Sequence, residues 1–364
     1  MIRTANLQDL SALVNIEDRC FTGDRLSRRS FRHLLTEGNA VTIVEEERGR
    51  MRGYAMVLFN TGTSLARLYS LAVDPDFQGR GIGRALLNAA EGSALEHDCI
   101  TMRLEIRRDN LAGIALYKAA GYRKFGDHPN YYEDGMDALR FEKQLVPPLK
   151  PDRVKVPYYA QTLDFTCGPA ALLMAMATLN NDVRLDRRTE LRIWRESTTI
   201  FMTSGHGGCD PYGLALAAYK RGFDVEIYVH DAGPMFLDSV RNPEKKEVMR
   251  IVQEDFLDQL EHLPVAVHYG ALGVEEMQQK FAEGWVPIVL ISSYRIYHEK
   301  FPHWVVVTGF DERFIYVHDP FVDYEAGSSP TDRINMPILK KDFARMARYG
   351  KAGQKAALIV RRPA

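Results

Sequence analysis

Long apolar runs are missing from this 364-residue chain, and so is any imbalance of charge. Its longest apolar stretches, such as 286–292 and 305–308, are far too short to span a bilayer. The opening MIRTANLQDL has no cationic segment leading into an apolar one, so it does not read as a secretion signal. Lys and Arg number 47 against 48 Asp and Glu, a formal net charge of −1, which gives no overall pull toward nucleic acid or an anionic membrane. Cysteine is scarce: four residues, at 20, 99, 167 and 209, with no Cys-x-x-Cys pair. That spacing argues against a disulfide framework and against a structural metal site. These absences predict a reduced, cytoplasmic protein without membrane insertion, a nucleic-acid partner or a metal.

What is present is ordinary for folded chains. At 46% hydrophobic and 26% charged residues the chain has material for a core, and its length favours two domains. The one clear break is VPPLKPDRVKVP at 146–157, where Pro147, Pro148, Pro151 and Pro157 deny the backbone helix continuation and ladder donors. It predicts an extended linker between a domain at 1–145 and another at 158–364. Before it, strands near 42–46, 53–59, 66–73, 100–107 and 137–143 alternate with helices near 83–97 and 110–120, an α/β pattern. After it, helices come first and strands at 286–292, 303–309 and 314–318 come late, an α+β pattern.

The stretch from Leu65 to Leu87 carries the first candidate site. A strand ends at Asp74-Pro75, and Gln78-Gly79-Arg80-Gly81-Ile82-Gly83-Arg84 leads into an amphipathic helix. Glycines allow close backbone approach, and the first N–H groups of a helix are unpaired, so such a turn attracts a diphosphate. Glycines at i, i+2 and i+4 do not fit the dinucleotide fingerprint, and the Gly-Lys-Ser/Thr of a Walker loop is missing. The turn resembles the Q/R-x-x-G-x-G/A acetyl-CoA signature of GNAT-family acetyltransferases. The opening Ile2-Arg3-x-Ala5 with Leu10, Ile16-Glu17 and Phe21, then Leu104-Glu105-Ile106-Arg107 and Asn110 with Leu116-Tyr117 and Gly121-Tyr122, resemble the ribosomal-protein-alanine acetyltransferases of that family.

The resemblance implies acetyl-CoA as cofactor. Backbone groups of Leu71, Ala72 and Val73 would take the acetyl and pantetheine portions. Amides from Gln78 through Gly79, Arg80, Gly81, Ile82, Gly83 and Arg84 would take the diphosphate, and Asn110 would face the cofactor. It also implies Glu105 as the base, through a water, and Tyr117 as the acid. Without it, Glu105 reads as a solvated strand residue and Tyr117 as a packing aromatic on a helix.

The second candidate site starts at Cys167-Gly168-Pro169-Ala170, where the cysteine precedes an Ala/Leu/Met run. Pro early in a first turn suits a helix start. A thiol at a helix N-terminus feels its positive end, which favours the nucleophilic thiolate. Gln161, six residues earlier (167 − 161), carries an amide able to donate to an oxyanion. A histidine base is needed, and His303 begins a strand that turns near 310–313 into 314–318, followed by Asp319-Pro320. A hairpin centred near Asp311 pairs residues summing to about 622, which sets Asp319 opposite His303. His318 alternates to the other strand face.

The Gln-x5-Cys-Gly-x-Ala element, the His-x-Val-Val strand and the following Asp-Pro resemble the C39 peptidases, papain-like domains that trim leader peptides. The resemblance implies Cys167 as nucleophile, His303 as base, Asp319 as its orienter and Gln161 in the oxyanion hole. The fold class implied for the chain is an α/β GNAT fold followed by an α+β papain-like cysteine peptidase fold. C39 domains sit on transporters with membrane spans and cut after double glycine; this sequence contains no such spans and reveals no such preference. Other readings stay open: a buried structural Cys167, a module that binds peptide without cutting, or an accessory to a peptide exporter. The loop from Ser204 through His206 to Cys209 reads as a glycine-rich turn.

Overall fold

Residues 1–146, 152–199, 207–237, 240–299, 301–325, 328–350 and 352–363 are described by the structure, a computed structural model, whose contacts divide the chain into the units Met1–Leu149 and Lys150–Ala364. The first unit runs β1 (Ile2–Thr4), α1 (Leu10–Cys20), α2 (Arg28–Thr36), β2 (Ala40–Glu47), β3 (Arg50–Phe59), β4 (Leu65–Val73), α3 (Ile82–Glu96), β5 (Thr101–Arg107), α4 (Leu111–Ala119), β6 (Arg123–His128) and β7 (Ala138–Gln144). The strands form one sheet in the order β1-β2-β3-β4-β5-β7-β6. One face packs Leu86, Leu87, Ala90 and Ile114 of α3 and α4 onto Ala66, Leu68, Leu104 and Ile106. The other packs Leu13, Ile16 and Phe31 of α1 and α2 onto Val44, Tyr54, Met56 and Ala72. Helices on both faces explain why β4 begins with four buried residues in a row rather than alternating.

The site-forming irregularity is in the middle of this sheet. β4 and β5 are parallel and pair only over Leu65–Arg67 against Thr101–Arg103. Beyond that point β4 stays paired to β3 as far as Val73, while β5 stays paired to β7 as far as Arg107. The two strands therefore part, and their inner backbone groups lose each other as partners. Opposite the split, a register shift leaves Tyr69 as an extra residue between Leu68 and Ser70.

The second unit runs β8 (Asp152–Arg153), α5 (Cys167–Leu179), α6 (Arg187–Ser197), α7 (Pro211–Tyr219), β9 (Asp224–Val229), α8 (Pro243–Glu261), β10 (Ala266–Tyr269), α9 (Val274–Ala282), β11 (Val286–Ser292), α10 (Tyr294–Tyr297), β12 (Pro302–Phe310), β13 (Phe314–His318), β14 (Met336–Leu339), α11 (Lys340–Met346) and β15 (Ala356–Arg361). The sheet order is β10-β9-β15-β11-β12-β13-β14, with β8 against β12. All pairs are antiparallel except β9 with β10. Every residue of α5 from Cys167 to Ala177 is buried, which accounts for the absence of a polar stripe in its sequence. It packs with α7 on one face of the sheet, against Ile288, Leu290, Trp304 and Leu358. The far face is closed by Met277 and Phe281 of α9 and Phe343 and Met346 of α11.

The α/β and α+β patterns expected from sequence are both present. Of the connector expected over 146–157, residues 147–151 lie outside the described residues. From Asp152 the chain joins the second sheet: Asp152 pairs with Phe310, Arg153 with Gly309, and Val154 donates to the Thr308 carbonyl at 3.0 Å. No helix among the described residues is long and apolar enough to cross a membrane.

Candidate active sites

The first site lies at the split between β4 and β5. Leu71, Ala72 and Val73 sit on the β4 side, bonded to β3 through one edge only. The loop beyond them turns through two left-handed glycines, Gly79 at φ +74° and Gly81 at φ +78°, and Gly81 is the N-cap of α3. A Cβ added at either would meet nothing within 4 Å, so open space lies in front of the helix start. Ile82, Gly83 and Arg84 form its first turn, with N–H groups that have no acceptor in the helix. Gln78 is held by its amide, which donates to the Val73 carbonyl at 3.2 Å. Arg80 donates to the Asp76 carbonyl at 3.2 Å and lies 5.2 Å from the Phe77 ring centre, while Arg84 is exposed. Asn110 caps α4, its Oδ1 accepting from Gly113 N at 2.9 Å. That spends the carbonyl and leaves the NH2 for other partners.

Glu105 and Tyr117 lie on opposite faces of the sheet. Leu104 and Ile106 face α3 and α4, as does Tyr117, so Glu105 between them faces the side of α1 and α2. Its carboxylate is paired with Arg67 at 2.9 Å, both side chains about 4% exposed, and Arg67 also donates to Tyr131 Oη at 2.8 Å. Burial pushes the Tyr117 phenol well above its ordinary range, so it stays protonated. Glu105 is thus an ion-paired residue on one face of the sheet, and Tyr117 a buried phenol on the other.

The second site is assembled from distant segments. Cys167 is the first residue of α5 and only 6% exposed. His303 Nε2 and Asp319 Oδ1 are 2.6 Å apart, and both residues are buried. The sulfur of Cys167 also lies near enough to the ring to favour its charged form. Burial alone pulls the imidazole down, but the charge and hydrogen bond of Asp319, with a smaller contribution from Cys167, push it up to about 10. Asp319 stays below the usual carboxylate range against burial, because His303, Arg333 and Tyr297 favour its anion. Its oxygens also accept from Tyr297 Oη at 2.6 Å and Phe321 N at 2.9 Å.

The hairpin register differs from the expected one. Val306 pairs with His318 and Val307 with Val317, so paired numbers sum to 624 (306 + 318) rather than about 622. Asp319 falls just past the last pair, two residues along from His303, and the contact is a diagonal one on the same face. His318 points the other way, its Nε2 donating to the Val156 carbonyl at 3.0 Å and its Nδ1 accepting from Asn335 N at 2.8 Å. Gln161 N donates to the Pro320 carbonyl at 2.8 Å, which ties its loop to the Asp319 segment. Its side-chain amide donates to the Leu163 carbonyl at 2.9 Å. Of the glycine-rich turn, His206 lies outside the described residues, and Cys209 is buried with Trp304 Nε1 donating to its carbonyl at 3.2 Å.

Sequence reasoning missed the supports. Glu190 is fully buried and accepts from Tyr159 Oη at 2.9 Å, Thr162 N at 2.8 Å and Thr162 Oγ1 at 2.6 Å, as well as from Thr166 Oγ1. It pins the loop that delivers Cys167. The available signal was a carboxylate in line with Ile193 and Ser197 on the inward stripe of α6. Tyr297 and buried Arg333, whose guanidinium carbon lies 4.9 Å from the Tyr297 ring centre, gave no such signal.

Comparison with known proteins follows the same division. The model of the Peptidase C39-like family matches residues 156–361, and that of the acetyltransferase (GNAT) family matches residues 10–122. A Bacillus subtilis protein provisionally named a ribosomal protein bS18 alanine N-acetyltransferase is 30% identical over 139 residues, covering 38% of this chain and 91% of that protein. The ribosomal protein bS18 alanine N-acetyltransferase of Escherichia coli is 36% identical over 86 residues, 24% of this chain and 57% of the relative. The crystal structure of the ribosomal-protein-S18-alanine N-acetyltransferase from Escherichia coli aligns at 29% identity and a TM-score of 0.37, covering 41% of this chain and 96% of that one. The first unit is an N-acetyltransferase unit whose acetyl donor is acetyl-CoA. The parted strands and the open space before Gly79 and Gly81 fit that cofactor.

Proposed function

We propose, on the premise that this chain belongs to the Peptidase C39-like family and carries an acetyltransferase (GNAT) family unit ahead of that domain, that it is a bifunctional peptide-modifying enzyme. One unit acetylates the N-terminal amine of a protein, with ribosomal-protein-like N-termini the first acceptors to try because its relatives carry that name. The other cleaves a peptide through a cysteine thioester.

In the first unit the backbone of Leu71, Ala72 and Val73 holds the acetyl and pantetheine portions. The amides from Gln78 to Arg84 hold the diphosphate, and the Asn110 NH2 faces the cofactor. Acetyl-CoA supplies the acetyl group as an activated thioester. Glu105 takes the amine proton through a water, held in place by Arg67. Tyr117, kept neutral by burial, gives its proton to the departing sulfur.

In the second unit Cys167 gives its proton to His303 and its sulfur attacks the scissile carbonyl, and the resulting oxyanion is met by an amide hydrogen of Gln161. His303 passes a proton to the leaving amine, and water then hydrolyses the thioester to the acid. Asp319 keeps the ring oriented and protonated for that step. The observation that carries this reading is the buried 2.6 Å His303–Asp319 bond, with Cys167 at the start of α5 near enough to favour the charged ring. Intact-mass analysis of a peptide library with acetyl-CoA tests both halves. Cys167→Ala should end cleavage but keep acetylation, and Glu105→Gln should do the reverse; products unchanged in either variant would remove that half. A cut exposes a new amine, so the fragments should also be substrates for the first unit, and an absence of acetylated fragments discards the shared substrate.

A further inference from the structure

A small cavity of about 100 Å³ adjoins the thiol of Cys167. Phe236, Val240, Met249, Pro302 and Trp304 give it an apolar wall, beside Thr199 and Cys209. No charged side chain is among its described lining residues. A carbon-lined cavity of roughly 150 Å³ takes a benzene ring of six carbons, so about 100 Å³ scales to roughly four carbons. That is the size of a leucine, isoleucine or methionine side chain.

The wall is built rather than incidental. Phe236 holds φ at +65°, a conformation an aromatic residue adopts at a cost and only where its surroundings impose it. They do so from both sides. Phe236 N donates to Gln354 Oε1 at 3.1 Å, and Met235 N donates to Oε1 of buried Gln253, whose amide in turn donates to buried Asp210. The opposite wall is fixed by the indole of Trp304 bonded to the Cys209 carbonyl.

We infer that this cavity is a specificity pocket, and that the peptide cut at Cys167 places a leucine-sized aliphatic side chain in it, adjacent to the scissile bond. The inference rests on the peptidase reading above and narrows its substrate. Glycine would leave the pocket vacant, and lysine or glutamate would bury a charge with no partner among the described lining residues.

The test is cleavage of a peptide library by the full chain, with cut sites mapped by mass spectrometry and Cys167→Ala as control. Leu, Ile or Met should dominate one fixed position beside the bond by at least about tenfold over Gly, Lys and Glu. Met249→Ala, checked for an unchanged melting transition, should shift that preference toward Phe. Phe236→Leu gives a second variant, expected to weaken selection at the same position. Cys167-dependent cutting with no preference at any adjacent position, or a preference for glycine, overturns the pocket and leaves the peptidase standing. No Cys167-dependent cutting at all overturns both.

Discussion

The two sites solve the problem of reactivity in opposite ways. The cleft between β4 and β5 is made of main chain: an interrupted ladder, two left-handed glycines and the first turn of a helix, with Gly79, Arg80, Gly81 and Arg84 all exposed. The thiol centre is made of side chains in a nearly water-free interior, where Cys167, His303 and Asp319 are each no more than 6% exposed. A backbone cradle tolerates change in the side chains around it. A buried charged pair does not, because each member left alone becomes an uncompensated ion.

That contrast can be broken in graded steps. The largest effect is expected of Cys167→Ala, which should lower peptide cleavage by about 10⁴-fold or more in single-turnover assays while acetyl transfer is unchanged. Asp319→Asn follows, with a loss of about 100-fold or more and a changed pH profile. His303 holds its proton to about pH 10, above its ordinary 6.5, so its contribution is complete below 6.5 and lost as pH rises through 10. Asp319, held low, contributes above the usual carboxylate range and its contribution is lost in acid. With the anion removed, burial governs the ring, and the alkaline limb of cleavage should move down by at least 2 units of pH; a limb left in place would refute the pairing.

Glu190→Ala should destabilise the second unit by about 1–3 kcal/mol in chemical denaturation, since it strands the buried Thr166 hydroxyl and removes the acceptor of Tyr159 and Thr162, and leave acetyl transfer intact. The smallest effect is expected of Gly81→Ala. Its φ of +78° costs a side chain about 1 kcal/mol. The methyl would enter the open space before α3, so KM for acetyl-CoA should rise several-fold with kcat changed less. An equal loss in both parameters would mean the turn shapes the transition state instead.

Legibility in the sequence followed the same division. The cleft is local, and one stretch from Leu65 to Leu87 contains its strand, turn and helix. For the thiol centre the chain itself named Cys167 by its position before an apolar helix, and His303 and Asp319 by a hairpin. The register came out two residues off, because a turn's type and the bulge between Val307 and Gly309 are set by packing rather than by composition. Tyr297 and Arg333 were invisible for a related reason, and Glu190 showed only as a carboxylate on the inward stripe of α6. A buried polar residue is recognised by what surrounds it, and its neighbours lie tens of residues away. The strands at 336–339 and 356–361 were missed because short apolar runs carry no period that separates strand from buried helix.

The placement of β15 has a consequence for how the second sheet comes into being. This strand is among the latest described residues, yet it sits mid-sheet, bonded to β9 on one side, where Arg361 meets Asp224, and to β11 on the other. A chain made from its N-terminus forward has β9, β10 and the β11–β14 meander well before anything can join them. The second sheet therefore cannot be completed during early synthesis, whereas every strand of the first sheet, the last ending at Gln144, is made by then. Birth order separates the completion of the two sheets in time.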